Sequence, residues 1–325
     1  MKSYVFPLSA LSCVLRLFAP VPQSLYSVLF FFPLLLKRLS LPYTSFPLIL
    51  ACLVAGAVST ASPRAAQAVV GWISTCNYSH TLKDDPIVFP KMPGASHLHD
   101  FVGNMTTDAF STLASLDAGG TTCAQAEDGS AYWIPATYQN GVHRTPSATS
   151  KNALFYYRRG AVHTDTPIRP FPPGLRFVYG NMHAASPAEN PGIGQGRIYW
   201  KCGGGSSTHL TAPPTSCPGE NLISLVFVLP QCWNGTTLDS PDHASHMTYT
   251  VSGRCPATHP VALPQITAYW RIPTGSTVGT ITYASGPYYT AHMDFFNSWD
   301  APALQSLVTE CINGAIDCGV DPATP

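Results

Sequence analysis

Charged side chains are scarce in this sequence. Asp, Glu, Lys and Arg together make up 10% of its 325 residues, and the formal net charge is zero. Proteins that bind nucleic acid or anionic membranes carry an excess of Lys and Arg, so this composition argues against both partners. Partners with neutral polar surfaces are the more natural expectation.

Several catalytic signatures are missing as well. There is no G-x-S-x-G elbow, and the lone glycine-rich stretch at 192–196 follows no strand-to-helix unit, so we interpret it as a loop. Glutamate is rare beyond residue 68, which leaves a two-glutamate glycosidase few partners. Asp100, Asp242 and Asp294 would have to serve instead.

The first 68 residues are mostly apolar and resemble an export signal rather than part of the fold. Lys37-Arg38 precede an apolar stretch at 46–58 and an A-x-A site at 66–68, which predicts cleavage after Ala68. An earlier apolar run, 25–36, is shorter than the roughly 20 residues that span a bilayer. We therefore favour an over-extended start codon over a membrane-tethered protein. Cleavage would expose Val69, which disfavours a copper monooxygenase that needs an N-terminal histidine.

Residues 69–325 are predicted to form a single secreted, extracellular domain, which we expect to be monomeric. They contain eight of the ten cysteines, and an even number in an exported chain indicates disulfides. The C-x-x-C spacing typical of zinc sites is absent. The pairing is left open by the sequence, with Cys202–Cys217 and Cys311–Cys318 as the local pairs that we expect.

The repeated pattern is one of short strands bounded by Pro, Gly, Ser and Asn. β-Branched and aromatic residues concentrate in stretches at 130–138, 153–159, 175–180, 197–202, 222–229, 265–272 and 279–285. The predicted fold class is therefore mostly β, a β-sandwich or jelly-roll-like domain with long loops, held by disulfides. One C-terminal helix is predicted at 299–314, with Asp300 as N-cap, Pro302 in the first turn and Asn313-Gly314 as the stop.

Three clusters combine imidazole with carboxylate. His97 and His99 are two residues apart, so on a strand they face the same side, with Asp100 turned away. His243 and His246 follow Asp242 at a spacing that shares one face only in a helix. His292 and Asp294 again stand two residues apart.

Imidazole titrates near neutral pH, and a neighbouring carboxylate orients it, so these clusters suit metal binding or acid/base catalysis. The spacing alone leaves three interpretations open: structural histidines, a metal site and metal-free acid/base catalysis. Among the aromatic residues, Trp133, Trp200 and Trp270 lie in strand patterns and are expected in the core. Trp233 and Trp299 lie next to the clusters and are candidates for the walls of a site.

Five stretches carry a family resemblance: DDPIVFPKMPGASHLHDFVGN (84–104), YWKCGG (199–204), PQCWNGTTLDSPDHASHMTY (230–249), CPATHPVALPQI (255–266) and HMDFFNSWDAPALQSLVTEC (292–311). In this order they resemble the family catalogued as a domain of unknown function, DUF1996. Its members look like exported bacterial and fungal proteins, some joined to WSC or ricin-type lectin modules, which hints at polysaccharide or cell-wall surfaces. Association with such modules does not by itself determine the function of a domain.

The resemblance also implies which polar positions recur in the family. They match His97, His99, Asp100, Asp239, Asp242, His243, His246, Tyr249, His259, His292, Asp294 and Asn297. Ala244 stands where arginine is expected in many relatives, which puts an anionic-substrate role for that loop in doubt. Because the family motifs coincide with the His/Asp clusters, one shared polar site is the favoured hypothesis, and a buried network that holds loops together is the alternative.

The sequence thus predicts an exported protein that acts on or binds extracellular glycan through a His/Asp-rich cleft, by metal-assisted hydrolysis or lyase chemistry. The predicted catalytic residues are His97, His99, Asp100, Asp242, His243, His246, His292 and Asp294. Predicted ligand-binding residues are Trp233, Tyr249, Asn297 and Trp299, and the predicted metal ligands are His97, His99 and His243. A divalent metal is the candidate cofactor, of open identity. A non-catalytic carbohydrate-binding or wall protein and a metal-binding protein without catalysis are the alternatives.

Overall fold

Short strands separated by turns account for most of the regular structure, as the sequence pattern predicts. The structure is a computed structural model that describes residues 70–146 and 153–323. The predicted leader, 1–68, lies outside the described residues. All of the described residues belong to one compact unit, Ala61–Pro325.

Eighteen strands and three short α-helices make up the regular structure of the described residues. In chain order the strands are β1 (Gly71–Cys76), β2 (Tyr78–Leu82), β3 (His99–Gly103), β4 (Ala131–Pro135), β5 (Thr137–Gln139), β6 (Val142–His143), β7 (Ala153–Arg158), β8 (Arg176–Gly180), β9 (Ile198–Cys202), β10 (Leu222–Val228), β11 (Cys232–Trp233), β12 (Met247–Thr248), β13 (Val261–Ala262), β14 (Gln265–Pro273), β15 (Ile281–Tyr283), β16 (Gly286–Pro287), β17 (His292–Phe296) and β18 (Asp317–Val320). The α-helices are α1 (Leu113–Asp117), α2 (Pro191–Gly194) and α3 (Ala301–Leu307), and 3-10 turns occupy Pro187–Glu189 and Tyr288–Thr290.

Two large sheets enclose the core. One has six strands in the order β18-β1-β7-β14-β10-β9, and the other has five in the order β2-β3-β4-β17-β8. Apolar side chains of both sheets meet between them, where Tyr132 of β4 stacks on Phe155 of β7 with ring centroids 3.8 Å apart. Two small sheets, β12-β11-β13 and β16-β15-β5-β6, complete a mostly β, sandwich-like fold.

The predicted strands agree with the observed ones except in one respect. The stretch at 130–138 is two strands, β4 and β5, which belong to different sheets. They separate at Ala136, whose N–H still donates to the carbonyl of Leu98, next to β3, at 2.8 Å, whereas its carbonyl accepts from Ala284 N, next to β15, at 2.8 Å. The predicted core tryptophans, Trp133, Trp200 and Trp270, are fully buried.

The five-stranded sheet is apolar on both faces, because its residues alternate between two clusters. Val102, Tyr132 and Phe295 point into the main core between the sheets. Phe101, Trp133 and Phe296 form a second cluster with two loop residues, Ile87 and Leu116. We call this second face the outer face, and it is the one on which polar residues gather.

The C-terminal helix begins as predicted. The side chain of Asp300 accepts a hydrogen bond from Ala303 N at 2.9 Å, and proline follows in the first turn of α3. The helix continues as a π-helical segment, Val308–Asn313, before Gly314. Its buried side includes Leu304, Leu307 and Ile312.

Four disulfides link the described residues: Cys76–Cys123, Cys202–Cys217, Cys232–Cys255 and Cys311–Cys318. The two predicted local pairs are therefore confirmed. Within the described part of the chain, no helix has the length and apolar character needed to cross a bilayer.

Candidate functional site

Three imidazoles meet on the outer face of the five-stranded sheet. His99 is the first residue of β3 and lies opposite Pro135 of β4. β17 pairs with the other side of β4. Asp294 of β17 lies opposite Trp133, and the same antiparallel register places His292, the first residue of β17, beside Pro135. Residues at one register position share a face, and two inter-strand spacings separate the backbones by only about 10 Å. The rings of His99 and His292 consequently approach to 5.8 Å between centroids.

His97 closes this group from the loop that leads into β3. Its Nε2 lies 3.1 Å from Nε2 of His292, and its ring centroid lies 4.3 Å from that of His99. One nitrogen from each of the three rings falls within 4.8 Å of the others. We call His97, His99 and His292 the three-histidine cluster. The predicted metal set named His243 as the third ligand, whereas the imidazole that lies with His97 and His99 in the structure is that of His292, because the strand register brings β17 and not the 238–249 loop beside His99.

Two of these rings have their tautomers set by backbone carbonyls. Nδ1–H of His99 donates to the carbonyl of Asp84 at 3.0 Å, and Nδ1–H of His292 donates to that of Thr290 at 2.9 Å. Since a carbonyl can only accept, Nε2 of each neutral ring carries a lone pair. Nε2 of His99 is buried, and no described residue hydrogen-bonds to it.

Burial keeps all three rings neutral. It lowers the pKa of His97 to about 4 and that of His292 to about 3, with the nearby imidazoles adding to the effect. Burial also holds the pKa of His99 well below its usual value. At neutral pH the cluster therefore offers uncharged imidazoles, the form that binds metal ions.

A buried carboxyl lies beside the cluster. Asp294 shares the outer face, is fully buried, and has Oδ2 3.9 Å from Nε2 of His292. Neither of its oxygens has a hydrogen-bond partner among the described residues. Burial, and to a lesser degree the charge of Asp85, raises the pKa of Asp294 well above its usual value. An unpartnered buried carboxyl is costly, so its presence requires a reason.

Asp85 connects the cluster to a second polar group. Its Oδ1 accepts from Ile87 N and Val88 N, both at 2.9 Å, whereas its buried Oδ2 has no partner among the described residues. Burial raises its pKa, and the nearby charges of His243 and Asp239 act on it too. Asp85 is thus a neighbour both of Asp294 and of the loop that holds His243.

That loop runs along the free edge of β8. Val178 N donates to the carbonyl of His243 at 2.8 Å, and Val178 itself lies opposite Asp294. The His243 ring is held by Asp239, whose Oδ1 is 2.8 Å from Nδ1, and Arg176 Nε donates to the other oxygen of Asp239 at 3.0 Å. His243 has a φ of 56°, a left-handed conformation that is uncommon outside glycine and is concentrated at functional sites. We call Asp239 and His243 the Asp–His dyad.

His246 and Asp242 make hydrogen bonds that hold this loop together and attach it to β8. His246 Nδ1 is 2.7 Å from Ser240 Oγ, and its Nε2–H donates to the carbonyl of Arg176 at 3.0 Å. Burial raises the pKa of Asp242, but hydrogen bonds from Ser240, Ser245 and Ala244 outweigh it and hold that pKa below its usual value. The segment consists of turns, so the helical face suggested for His243 and His246 does not form.

Asp100 faces the other way from His99, as the alternation of a strand predicts. It accepts a hydrogen bond from Thr81 Oγ1 at 2.7 Å and lies 3.0 Å from Nε2 of His143. Asp100 therefore joins β3 to its neighbours and is not part of the three-histidine cluster.

The predicted ligand-binding residues have structural partners. Trp299 is only 4% exposed, donates from Nε1 to Tyr157 Oη at 3.0 Å and packs in the core, and it also lines a cavity beside α1 and the start of α3. Asn297 is buried and donates to the carbonyl of Pro172, and Tyr249 donates to the carbonyl of Val228. Trp233 is half-buried and donates to the carbonyl of Thr237 in its own loop.

Sequence reasoning missed several residues of this site. Asp84 and Asp85 lie in the first family stretch, but no spacing rule connects them to the histidines. Arg176 looked like an ordinary strand residue. His183, whose charge affects both His97 and His292, follows β8 in a stretch without a recognisable motif.

Comparison with known proteins gives one match. No curated protein and no solved structure matches the chain. The profile of the family described as "Domain of unknown function (DUF1996)" matches residues 85–299, a range that contains the three-histidine cluster, Asp294 and the Asp–His dyad. The chain therefore belongs to the DUF1996 family.

Proposed function

We propose that this protein binds a divalent transition metal ion through Nε2 of His97, His99 and His292 and uses it for hydrolysis or lyase chemistry on an extracellular glycan. The observation that carries the proposal is the convergence of three neutral imidazoles, whose nitrogens lie within 4.8 Å of one another. In His99 and His292, Nδ1–H donates to a backbone carbonyl, so the lone pair is on Nε2, which faces away from that carbonyl. Histidines that ligate metals usually donate their other N–H in this way.

The donor set favours zinc. Imidazole suits Zn²⁺ and Cu²⁺, whereas Mg²⁺ and Ca²⁺ prefer oxygen, and three histidines with one open position are typical of catalytic zinc sites. Nδ1 of His97 is not hydrogen-bonded to a carbonyl in the described chain, so this ring can carry its proton there and free Nε2. A cation held by the cluster would also supply the charge partner that Asp294 lacks. The other group of potential ligands among the described residues, Cys76, Cys123 and Asp128, includes a disulfide and offers no thiolate.

The residues around the cluster fit acid/base chemistry. A bound zinc ion would polarise an oxygen of the substrate and lower the pKa of a coordinated water to about 7. The Asp–His dyad lies on the same sheet face, with Nδ1 of His243 held by Asp239. The His243 side chain keeps 25% of its surface exposed, so Nε2 can exchange a proton with a substrate.

The predicted export signal and the four disulfides support secretion, and the glycan stays the substrate class that the sequence predicts. The non-catalytic carbohydrate-binding alternative has less support, because Trp299 and Asn297 are buried and bonded within the fold. Metal binding without catalysis would require only the cluster. It would give no role to the left-handed His243 or to its partners.

Elemental analysis and zinc titration of the purified secreted protein test the metal. We expect one zinc per wild-type chain, and binding weakened by at least about 10-fold in His292→Ala and His99→Ala. His163→Ala is the matched control, because His163 is an exposed histidine paired with Asp165 outside the cluster. A folded His292→Ala variant that binds zinc as the wild type does would contradict the proposal.

Catalysis needs a separate experiment. Zinc-loaded wild type is incubated with a panel of wall and plant polysaccharides, and products are detected by mass spectrometry. His243→Ala should retain its zinc and lose product formation. If zinc-loaded wild type releases no product from any glycan, the protein binds metal without acting on these polymers.

A further inference from the structure

One three-residue pattern, tyrosine–aromatic–cation, occurs in three strands of the six-stranded sheet. The middle residues, Tyr157, Trp200 and Trp270, are fully buried and belong to the core between the sheets. Because successive side chains of a strand alternate between its two faces, the outer residues of each pattern point away from that core. We call this side of the sheet the back face. The patterns place on it Tyr156 and Arg158 of β7, Tyr199 and Lys201 of β9, and Tyr269 and Arg271 of β14.

Four of these side chains form a continuous row. Cζ of Arg158 lies 4.3 Å from the centroid of the Tyr156 ring, and that centroid lies 5.1 Å from the centroid of the Tyr269 ring. At the other end, Nζ of Lys201 lies 5.4 Å from the Tyr269 centroid. The row therefore consists of two aromatic rings with a cation at each end. We call Arg158, Tyr156, Tyr269 and Lys201 the Tyr–cation row.

The small residues of β10 explain how Lys201 reaches Tyr269. β10 lies between β14 and β9 in the sheet. Its residues on the back face include Ser224, opposite Lys201, and Val226, opposite Tyr269. Both are short and fully buried. The longer side chains of β9 and β14 therefore extend over β10 and approach each other above it.

The two cations of the row lack anionic partners. Neither Arg158 nor Lys201 makes a hydrogen bond or an ion pair with any residue that the structure describes, and Nε of Arg158 is buried. Lys201 is only 7% exposed, and burial lowers the pKa of its ammonium group. Burying a cation without a counter-ion costs free energy, and an anionic ligand would offset that cost.

We propose that the Tyr–cation row binds an acidic polysaccharide, whose sugar rings pack on the two tyrosines and whose uronate carboxylates pair with the two cations. Cations separated by aromatic rings match a polymer in which carboxylates recur along a chain of sugar rings. The guanidinium of Arg158 can hold a carboxylate through two parallel hydrogen bonds. A neutral glycan would leave both cations unpaired, and a small anion would leave the rings unused.

This surface is separate from the proposed metal site. The row belongs to the six-stranded sheet, whereas the three-histidine cluster lies on the five-stranded sheet, so the inference does not depend on a bound metal. Single-stranded nucleic acid also combines rings with anions. The zero net charge of the chain disfavours it as the partner, because nucleic-acid binding depends on an excess of cations.

Affinity electrophoresis tests this binding independently of catalysis. Native gels that contain polygalacturonate are compared with gels that contain its methyl ester, which has the same sugar backbone and no charge. The wild type should be retarded by polygalacturonate and not by the ester, and added salt should weaken the retardation. Arg158→Gln and Lys201→Gln should each bind polygalacturonate about 10-fold more weakly than the wild type. Arg254→Gln is the matched control, because it loses the same charge at an exposed arginine that pairs with Asp165.

Circular dichroism checks that each variant is folded, and the two ends of the row are tested by separate variants. Four results would each overturn the inference: no retardation of the wild type, equal retardation by the ester, row variants that bind as tightly as Arg254→Gln, or tighter binding of single-stranded DNA than of polygalacturonate. Added zinc should not change the retardation. A failed metal site would therefore leave the Tyr–cation row standing, and a failed row would leave the metal site standing.

Discussion

Asp128 should make the stability of this protein fall as the pH rises from acidic to neutral. Its carboxyl is fully buried and accepts hydrogen bonds from Ser74 Oγ at 2.8 Å and from Tyr132 Oη at 3.0 Å. Burial raises its pKa from the usual 3.8 to about 7, although the hydrogen bonds from Ser74, Tyr132 and Ser130 oppose the shift. In the folded protein Asp128 therefore keeps its proton up to near-neutral pH.

The sign and size of the effect follow from proton linkage. Between pH 3.8 and about 7 the folded state holds a proton that the unfolded state has released, so the free energy of unfolding decreases with rising pH. Each pH unit costs about 1.4 kcal/mol, and the whole window costs about 4 kcal/mol. Below this window both states are protonated, and above it both are ionised, so the contribution of Asp128 is constant at either end.

The Asp128→Asn variant isolates this contribution, because its amide keeps a carbonyl acceptor and cannot ionise. Urea unfolding of both proteins, with disulfides intact, at pH 4.5, 5.5, 6.5 and 7.5 gives the difference in free energy of unfolding at each pH. That difference should move in favour of the variant by about 1.4 kcal/mol per pH unit from pH 4.5 to 6.5, and by less from pH 6.5 to 7.5, where Asp128 ionises in the folded state as well. Parallel pH profiles for the two proteins would refute the reasoning.

Three further predictions follow from particular contacts. Gly180→Ala should weaken zinc binding while the fold persists, because Gly180 lies opposite His292 and an added Cβ, only 2.9 Å from Cβ of His292, would displace that residue. Zinc titration with circular dichroism checks this, and unchanged affinity would contradict it. Asp300→Ala removes the N-cap of α3 and should lower the free energy of unfolding by about 1 kcal/mol in urea, so a loss near zero would show that the cap is redundant. In a glycosylating host, Asn104 should stay unmodified because its buried Nδ2 donates to the carbonyl of Leu116, and a glycan found there by mass spectrometry would require that bond to be broken.

Local patterns predicted part of this fold. The seven predicted stretches correspond to β4, β5, β7, β8, β9, β10, β14 and β15, because β-branched and aromatic residues bounded by Pro and Gly favour extended backbone. The other strands, among them β1 in the six-stranded sheet and β17 in the five-stranded sheet, were not predicted. The C-terminal helix was predictable because Asp300 and Pro302 mark its start within a few residues. The change of sheet between β4 and β5 at Ala136 was not predictable, since it depends on hydrogen bonds to Leu98 on one side and Ala284 on the other, which are both distant in sequence.

The site was predictable only in part. The spacing of His97 and His99 predicted two neighbouring imidazoles with Asp100 turned away. Strand alternation accounts for the opposite directions of His99 and Asp100, whereas His97 reaches the group from the loop before β3. The family stretches also drew attention to His292 and Asp294. The choice between His243 and His292 as third imidazole could not be made in this way, since both lie far along the chain in equally suggestive stretches.

Strand register made that choice. His99 and His292 share a face because both lie beside Pro135 on either side of β4, and a shift of one residue would turn either ring to the other face. Burial of Asp294 likewise arises where separate segments pack. Residue types and their short-range spacing were enough to predict a mostly β, disulfide-linked chain rich in His/Asp motifs. The site itself required the pairing of distant strands, because convergence of side chains is a property of the packed sheet and not of any one segment.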